Sequence, residues 1–181
     1  DELTSNKLGQ LNNNKRVISI LNENVLHGLY QGLSQANIGG LFVTYEAFAP
    51  IFISMVSQYL KYLTQKQQIS KRKNPSLNYL LTSTFPENTY SHQNPEFVAS
   101  LFNKEYKNVN AYYPVGAKSL VSTLEKSLNS KDKINVITIS KRADCEKFNN
   151  LDGDLLILKD SKKPDIVLCA TGDYILNQLN D

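Results

Sequence analysis

The chain has 181 residues, which suits one domain, or one domain plus part of another. Its 41% hydrophobic content is that of an ordinary globular protein. Twenty basic and 17 acidic residues leave a net charge of +3, too mild a balance to point to nucleic acid. Cys145 and Cys169 stand far apart with no CxxC spacing and no nearby histidine, so neither a disulfide framework nor a metal site is indicated, and a reducing cytoplasmic setting fits best. No apolar run approaches the ~20 residues that cross a membrane, and a secretory leader is not expected. The first residue is Asp1 and the only methionine is Met55, so the chain is expected to be a piece of something longer.

Residues 1–16 are polar and Asn/Lys-rich, and read as an extended arm. Leu21, Val25, Leu29 and Leu33 then recur every four residues, which places them on one helical face. Asn22 is a suitable N-cap with Glu23 in the first turn, and Gly39-Gly40 ends the segment as a turn. Leu41–Tyr45 is a short buried strand. A helix over about 46–64 follows, with Phe48, Ile51, Phe52, Met55, Tyr59 and Leu63 on a stripe, and then a basic loop from Gln65 to Asn74. Leu77–Ser83 is a second strand. A polar loop holds Asn88 and His92, and a short helix starts near Pro95, a suitable first-turn residue. Val109–Pro114 is a third strand, Leu120, Leu124 and Leu128 mark another amphipathic helix, and 135–140 is a fourth strand. An apolar strand at 165–171 comes after a long polar stretch and reads as the opening of a second, incomplete unit. Apolar strands alternating with amphipathic helices imply an α/β fold, a mostly parallel sheet with helices on both faces. The expected divisions are 1–19, 20–142 and 143–181.

Chemistry in an open parallel sheet collects at the carboxyl ends of the strands. Glu23, Tyr45 with Phe48, Asn88 with His92, and Lys141-Arg142 sit at strand ends or helix starts. Each also has a plain structural reading. A carboxylate in a first turn complements the helix dipole, an aromatic pair three apart is usually core, a loop histidine is usually solvated, and Lys71-Arg72-Lys73 is usually a solvated face. No GxGxxG, HExxH or GxSxG is present, and Asp152-Gly153-Asp154 reads as a turn.

Several segments, in order over about 20–173, resemble the middle domain of the phosphoketolases, which are thiamine-diphosphate enzymes. They are Asn22–Gly32, Gly40–Phe48 with Ser54–Gln58, Arg72-Lys73 with Ser76–Ser83, Asn88–Pro95, and Ile139–Lys141. Val167–Asp173 resembles the start of that family's C-terminal α/β domain. Transketolase is the close alternative. Its corresponding loop reads Thr-His-Gln-Pro, whereas here Asn94 separates Gln93 from Pro95, as in phosphoketolases.

The resemblance implies a pyrimidine-binding fold and a carbon-carbon lyase that cleaves xylulose 5-phosphate or fructose 6-phosphate with inorganic phosphate, giving acetyl phosphate and an aldose phosphate. Glu23 matches the glutamate that shares a proton with the aminopyrimidine ring, and Tyr45 and Phe48 match the rings lining its pocket. His92 and Asn88 match substrate-facing residues, and Arg72 and Lys141 match phosphate-binding cations. Diphosphate and Mg²⁺ belong to an N-terminal domain outside this chain, in a homodimer, so the chain alone is expected to be inactive. Departures fall at Glu87, where the family carries a histidine, at Lys71 in place of a tryptophan, and at Ile38-Gly39 in place of Arg-His. The changes at Glu87 and Ile38-Gly39 keep open a non-catalytic dimer-assembly domain, and a transketolase-like transferase, against which Asn94 argues, is the other alternative.

Overall fold

The computed structural model describes residues 17–83, 96–103, 106–140, 161–167 and 169. Asn22 caps the first helix, α1 (Glu23–Gln35), as its spacing from the apolar run predicts. Its side-chain oxygen accepts from the Val25 N–H at 3.0 Å. The helix closes on Asn37 rather than on a glycine. Asn37 takes a left-handed φ of 68°, its N–H donates to the Ser34 carbonyl, and the Ile38 N–H donates to the Leu33 carbonyl. That is the paired-bond ending of a Schellman motif, with asparagine in the place glycine usually fills. Gly40 is needed for a different reason. A Cβ there would lie 3.2 Å from the Tyr30 ring, whose hydroxyl donates to the Gly40 carbonyl at 2.7 Å.

Strand β1 (Phe42–Tyr45) leads into a 3-10 helix (Glu46–Phe52), then α2 (Ile53–Ile69). The single helix expected over 46–64 is thus two elements, because Pro50 has no N–H to donate and the α register starts only beyond it. At its other end α2 runs five residues into the expected basic loop. The reason is Lys66, which is buried and bonded at 3.0 Å to Asp132, itself buried. Next come β2 (Leu77–Ser83), α3 (Glu96–Phe102), β3 (Val109–Tyr112), α4 (Gly116–Asn129) and β4 (Ile134–Ser140).

The four strands form one parallel sheet in the order β1-β2-β4-β3. Side chains alternate across it. Phe42, Leu77, Tyr79, Leu81, Ile134 and Val136 point to one face, where they meet Phe52, Val56, Leu60, Leu63, Phe97 and Leu101 in the core. Asn78, Asn135 and Asn110 share one register row on the other face. Their amides link in series, Asn110 Nδ2 to Asn135 Oδ1 at 2.9 Å and Asn135 Nδ2 to Asn78 Oδ1 at 2.7 Å. Asn135 also donates to the Ser127 carbonyl, and Lys126 lies over Tyr112, so α4 covers this second face. The expected α/β fold, a parallel sheet with helices on both faces, is the observed one.

Two expectations change. Of the every-fourth-residue stripe, Leu21 precedes α1 and is 89% exposed, and within the helix Val25, 57% exposed, and Leu29 point outward. The buried face carries His27, Tyr30 and Ser34 instead. Of the expected strand at 165–171, residues 165–167 and 169 lie in no strand, and Ile166 and Val167 are exposed. A strand exists only through pairing, and these residues pair with neither sheet edge among the described residues.

Candidate functional site at the carboxyl edge of the sheet

Because the sheet is parallel, Tyr45, Ser83, Tyr112 and Ser140 all end at one edge. The direction of α1 follows from its bonds. Ser34 donates to the carbonyl of Pro75, before β2 begins. One turn nearer the N-terminus, the Tyr30 hydroxyl accepts from the Asn78 N–H at 2.8 Å. One turn further, His27 Nε2 and the Tyr79 hydroxyl are 2.7 Å apart. Reading α1 backwards therefore climbs β2 towards its carboxyl end, so helix and strands are antiparallel. Glu23 lies four residues, about 6 Å, beyond His27, which is about two strand residues above Tyr79. That height is close to the row pairing Tyr45 with Thr82. The helix thus delivers Glu23, half-buried, to the edge where β1 ends.

Tyr45, exposed, and Phe48, half-buried, meet edge to face with ring centroids 5.8 Å apart. The structure brings Glu23, Tyr45 and Phe48 to one edge. Arg72 is not among them. It is exposed, and its guanidinium donates to the Gln35 carbonyl at 3.3 Å, where α1 ends and the amino edge of the sheet lies. The reason is topological: Arg72 precedes β2, and a residue just before a parallel strand belongs to the edge opposite residues just after one. The order of Arg72 and β2 in the sequence already contained this signal. Asn88, His92 and Lys141 lie outside the described residues, as do Glu87 and Cys145.

Beneath Glu23 the aromatic packing is dense. His27 is wholly buried, stacked on Phe52 and with its ring plane nearly parallel to that of Tyr79. Burial lowers its pKa to about 4 and pushes the Tyr79 hydroxyl well above the ordinary tyrosine range, so both are neutral at pH 7. Two further residues of this edge escaped the sequence reading. Glu46 follows Tyr45 directly and keeps only 7% of its surface, with no hydrogen-bond or ion-pair partner among the described residues. Tyr113 follows β3. Burial raises its hydroxyl pKa, and the negative charge of Glu46 adds to the effect. The signal for Glu46 was its position, the first residue past a strand.

The arrangement defines a class, an α/β domain whose parallel sheet presents carboxylates and aromatic rings at its carboxyl edge, where such sheets usually bind ligands. Among the described residues no cluster of three metal-ligating side chains occurs, and no helix is long and apolar enough to cross a membrane. Comparison with known proteins narrows the class. The profile of the D-xylulose 5-phosphate/D-fructose 6-phosphate phosphoketolase family matches residues 1–130. A probable phosphoketolase of Streptomyces coelicolor is 35% identical over 179 residues, which cover 90% of this chain and 22% of that protein. Those of Thermosynechococcus vestitus and Synechococcus elongatus are each 33% identical, over 183 and 186 residues that cover 22% and 23% of their lengths. The chain belongs to the phosphoketolase family, and it spans about a fifth of the length of these curated relatives.

Proposed function

We propose that this chain is the pyrimidine-side domain of a thiamine-diphosphate-dependent phosphoketolase, a lyase acting on xylulose 5-phosphate or fructose 6-phosphate with inorganic phosphate. The products on this reading are acetyl phosphate and an aldose phosphate. The observation that carries it is the delivery of Glu23, by an antiparallel helix, to the edge that holds Tyr45 and Phe48.

The residues present fit one half of the cofactor. Rings at 45 and 48 offer an aromatic wall to a flat heterocycle, and a half-buried carboxylate at 23 offers an acceptor for a ring N–H. The other half of the cofactor is assigned elsewhere on this reading. In this proposal the diphosphate and Mg²⁺ are held by a separate N-terminal domain, which completes the edge. Bound thiamine diphosphate supplies the carbanion chemistry; the protein supplies orientation and proton control. Glu23 holds a proton against the pyrimidine ring, and Tyr45 and Phe48 fix the plane of that ring. Asn88, His92 and Lys141 contribute to the sugar phosphate side in this reading. Arg72, at the far edge, does not share the pocket of Glu23.

Association with a second copy belongs to the same proposal. Leu21, just ahead of α1, and Val25 and Leu29 on its outward face are apolar and exposed, and they flank Glu23 in the sequence. A cytoplasmic setting accords with the sugar phosphate substrates. The test is acetyl phosphate formation by the full-length parent. Glu23→Gln is expected to abolish it while substrate-independent folding stays intact by circular dichroism. Unchanged turnover in that variant removes Glu23 from the mechanism. Formation of a longer ketose phosphate from an added aldose, without consumption of phosphate, assigns a transferase instead.

A further inference from the structure

The buried face of α1 is polar, and hydrogen bonds join it to β2 and its approach. Ser34 donates to the Pro75 carbonyl at 2.7 Å, the Tyr30 hydroxyl accepts from the Asn78 N–H at 2.8 Å, and His27 Nε2 lies 2.7 Å from the Tyr79 hydroxyl. Apolar contact is non-directional, whereas a hydrogen bond weakens steeply once its distance or angle changes. These bonds therefore fix the height and rotation of the helix on the strand. Apolar anchoring is thin in the first two turns, where Val25 and Leu29 face outward and only Leu26 packs against the core. The His27 bond is the one nearest Glu23, about a turn away. The imidazole also stacks on Phe52 at 5.1 Å between centroids and stands edge-on to Phe42 at 6.2 Å. One side chain of α1 thus contacts both the 3-10 helix that carries Phe48 and the strand that ends in Tyr45.

Packing alone does not account for an imidazole at this place. An apolar side chain would bury no polar atom, whereas His27 leaves Nδ1 without a partner among the described residues, at a cost in stability. What the imidazole adds is the bond to Tyr79. Burial keeps the ring neutral at pH 7, so Nε2 can accept. With the Tyr79 hydroxyl donating to Nε2, only the Nδ1 N–H lacks a partner. The opposite sense strands both Nδ1 and the hydroxyl hydrogen, so the first arrangement is the favoured one. We propose that His27 is a positioning residue for Glu23: its bond to Tyr79 and its stacking on Phe52 lock the first turns of α1 against β2 and the 3-10 helix, and so hold the carboxylate at the edge where Tyr45 and Phe48 meet. This deepens the functional reading above and rests on it for the role of Glu23.

The chain and its full-length parent are each compared with Tyr79→Phe, His27→Leu and His27→Gln variants. Amide hydrogen exchange in the chain reads the lock with no cofactor present. In Tyr79→Phe and His27→Leu, exchange over Glu23–Leu29 is expected to rise about tenfold beyond any rise in β4, the scale of one lost hydrogen bond. His27→Gln keeps an acceptor for the Tyr79 hydroxyl and is expected to stay near wild type. In the parent, kcat is expected to fall about tenfold in Tyr79→Phe and His27→Leu, with the KM for sugar phosphate little changed, and to recover in His27→Gln. Tyr79→Phe removes a single oxygen, so it carries the test if His27→Leu does not fold. An equal rise of exchange in α1 and β4 makes His27 a folding residue and overturns the proposal. Wild-type exchange in the Tyr79→Phe chain overturns it as well, and so does a local rise that leaves turnover unchanged. Failure of the functional reading shows differently: Glu23→Gln then turns over as wild type does, while exchange at the start of α1 still rises in the Tyr79 and His27 variants.

Discussion

At position 27 an imidazole lies wholly inside an aromatic stack, with Nε2 on the Tyr79 hydroxyl and Nδ1 without a partner among the described residues. Its pKa in the folded chain is about 4, against an ordinary 6.5 once unfolded. Between those values the unfolded state holds more protons, so acid destabilises the fold. The penalty begins below pH 6.5, grows as pH falls, and levels off below about 4, with a ceiling of about 3 kcal/mol. Urea midpoints measured at pH 7 and pH 4.5 are expected to show that loss in wild type and most of it missing in His27→Gln. An equal loss in both would assign the acid sensitivity to other groups. Asn22 is a simpler case. Removing the cap in Asn22→Ala is expected to cost about 1 kcal/mol of unfolding free energy by the same measurement. The sequence identified this cap, since an asparagine ahead of an acidic first turn is a local signal.

The elements are held together by buried polar links as much as by apolar contact. Lys66 and Asp132 tie the end of α2 to the turn before β4, with side chains only 7% and 10% exposed. Lys66→Met leaves a carboxylate unpaired and is expected to lose about 3–5 kcal/mol. Changing both residues to apolar ones is expected to recover much of it, as a double-mutant cycle in urea will show. The asparagine row behaves similarly. Asn135 bonds to Asn78, Asn110, the Ser127 carbonyl and Ser130, so its loss strands several partners at once. Asn135→Ala is expected to cost roughly 3 kcal/mol and Asn110→Ala, at the strand edge, nearer 1. Strand propensity gives no hint of such a row, because asparagine is a poor strand former and its value here comes from register across three strands. The Pro50 break in the expected helix over 46–64 was legible in principle. The five-residue extension of α2 was not, because it depends on Asp132, 66 positions away.

For the molecule as a whole, the outward face of α1 is the largest departure from a self-contained domain. Val25→Asp combined with Leu29→Arg is expected to leave Tm nearly unchanged, since both residues are exposed. It is expected to reduce self-association in sedimentation at high concentration. A wild-type chain that stays monomeric there would count against a second copy as the cover. Isolated from the domain that holds the diphosphate, the chain is also expected to bind thiamine diphosphate weakly. Sub-micromolar affinity by titration calorimetry would contradict the division of the cofactor site proposed here.

The sequence by itself determined the alternation of strands and helices from β1 to β4, the parallel α/β class, the cap at Asn22 and the placement of Tyr45 and Phe48 at and just past a strand end. These depend on short-range periodicity and on residues within a few positions of one another. Tertiary structure alone decided which face of α1 turns inward and that His27 and Tyr79 join below Glu23. It also decided that Glu46 is buried without a partner among the described residues. Burial, pairing and edge are properties of surfaces brought together across the sheet, and a linear pattern does not contain the distance between residues that meet only when the chain has folded.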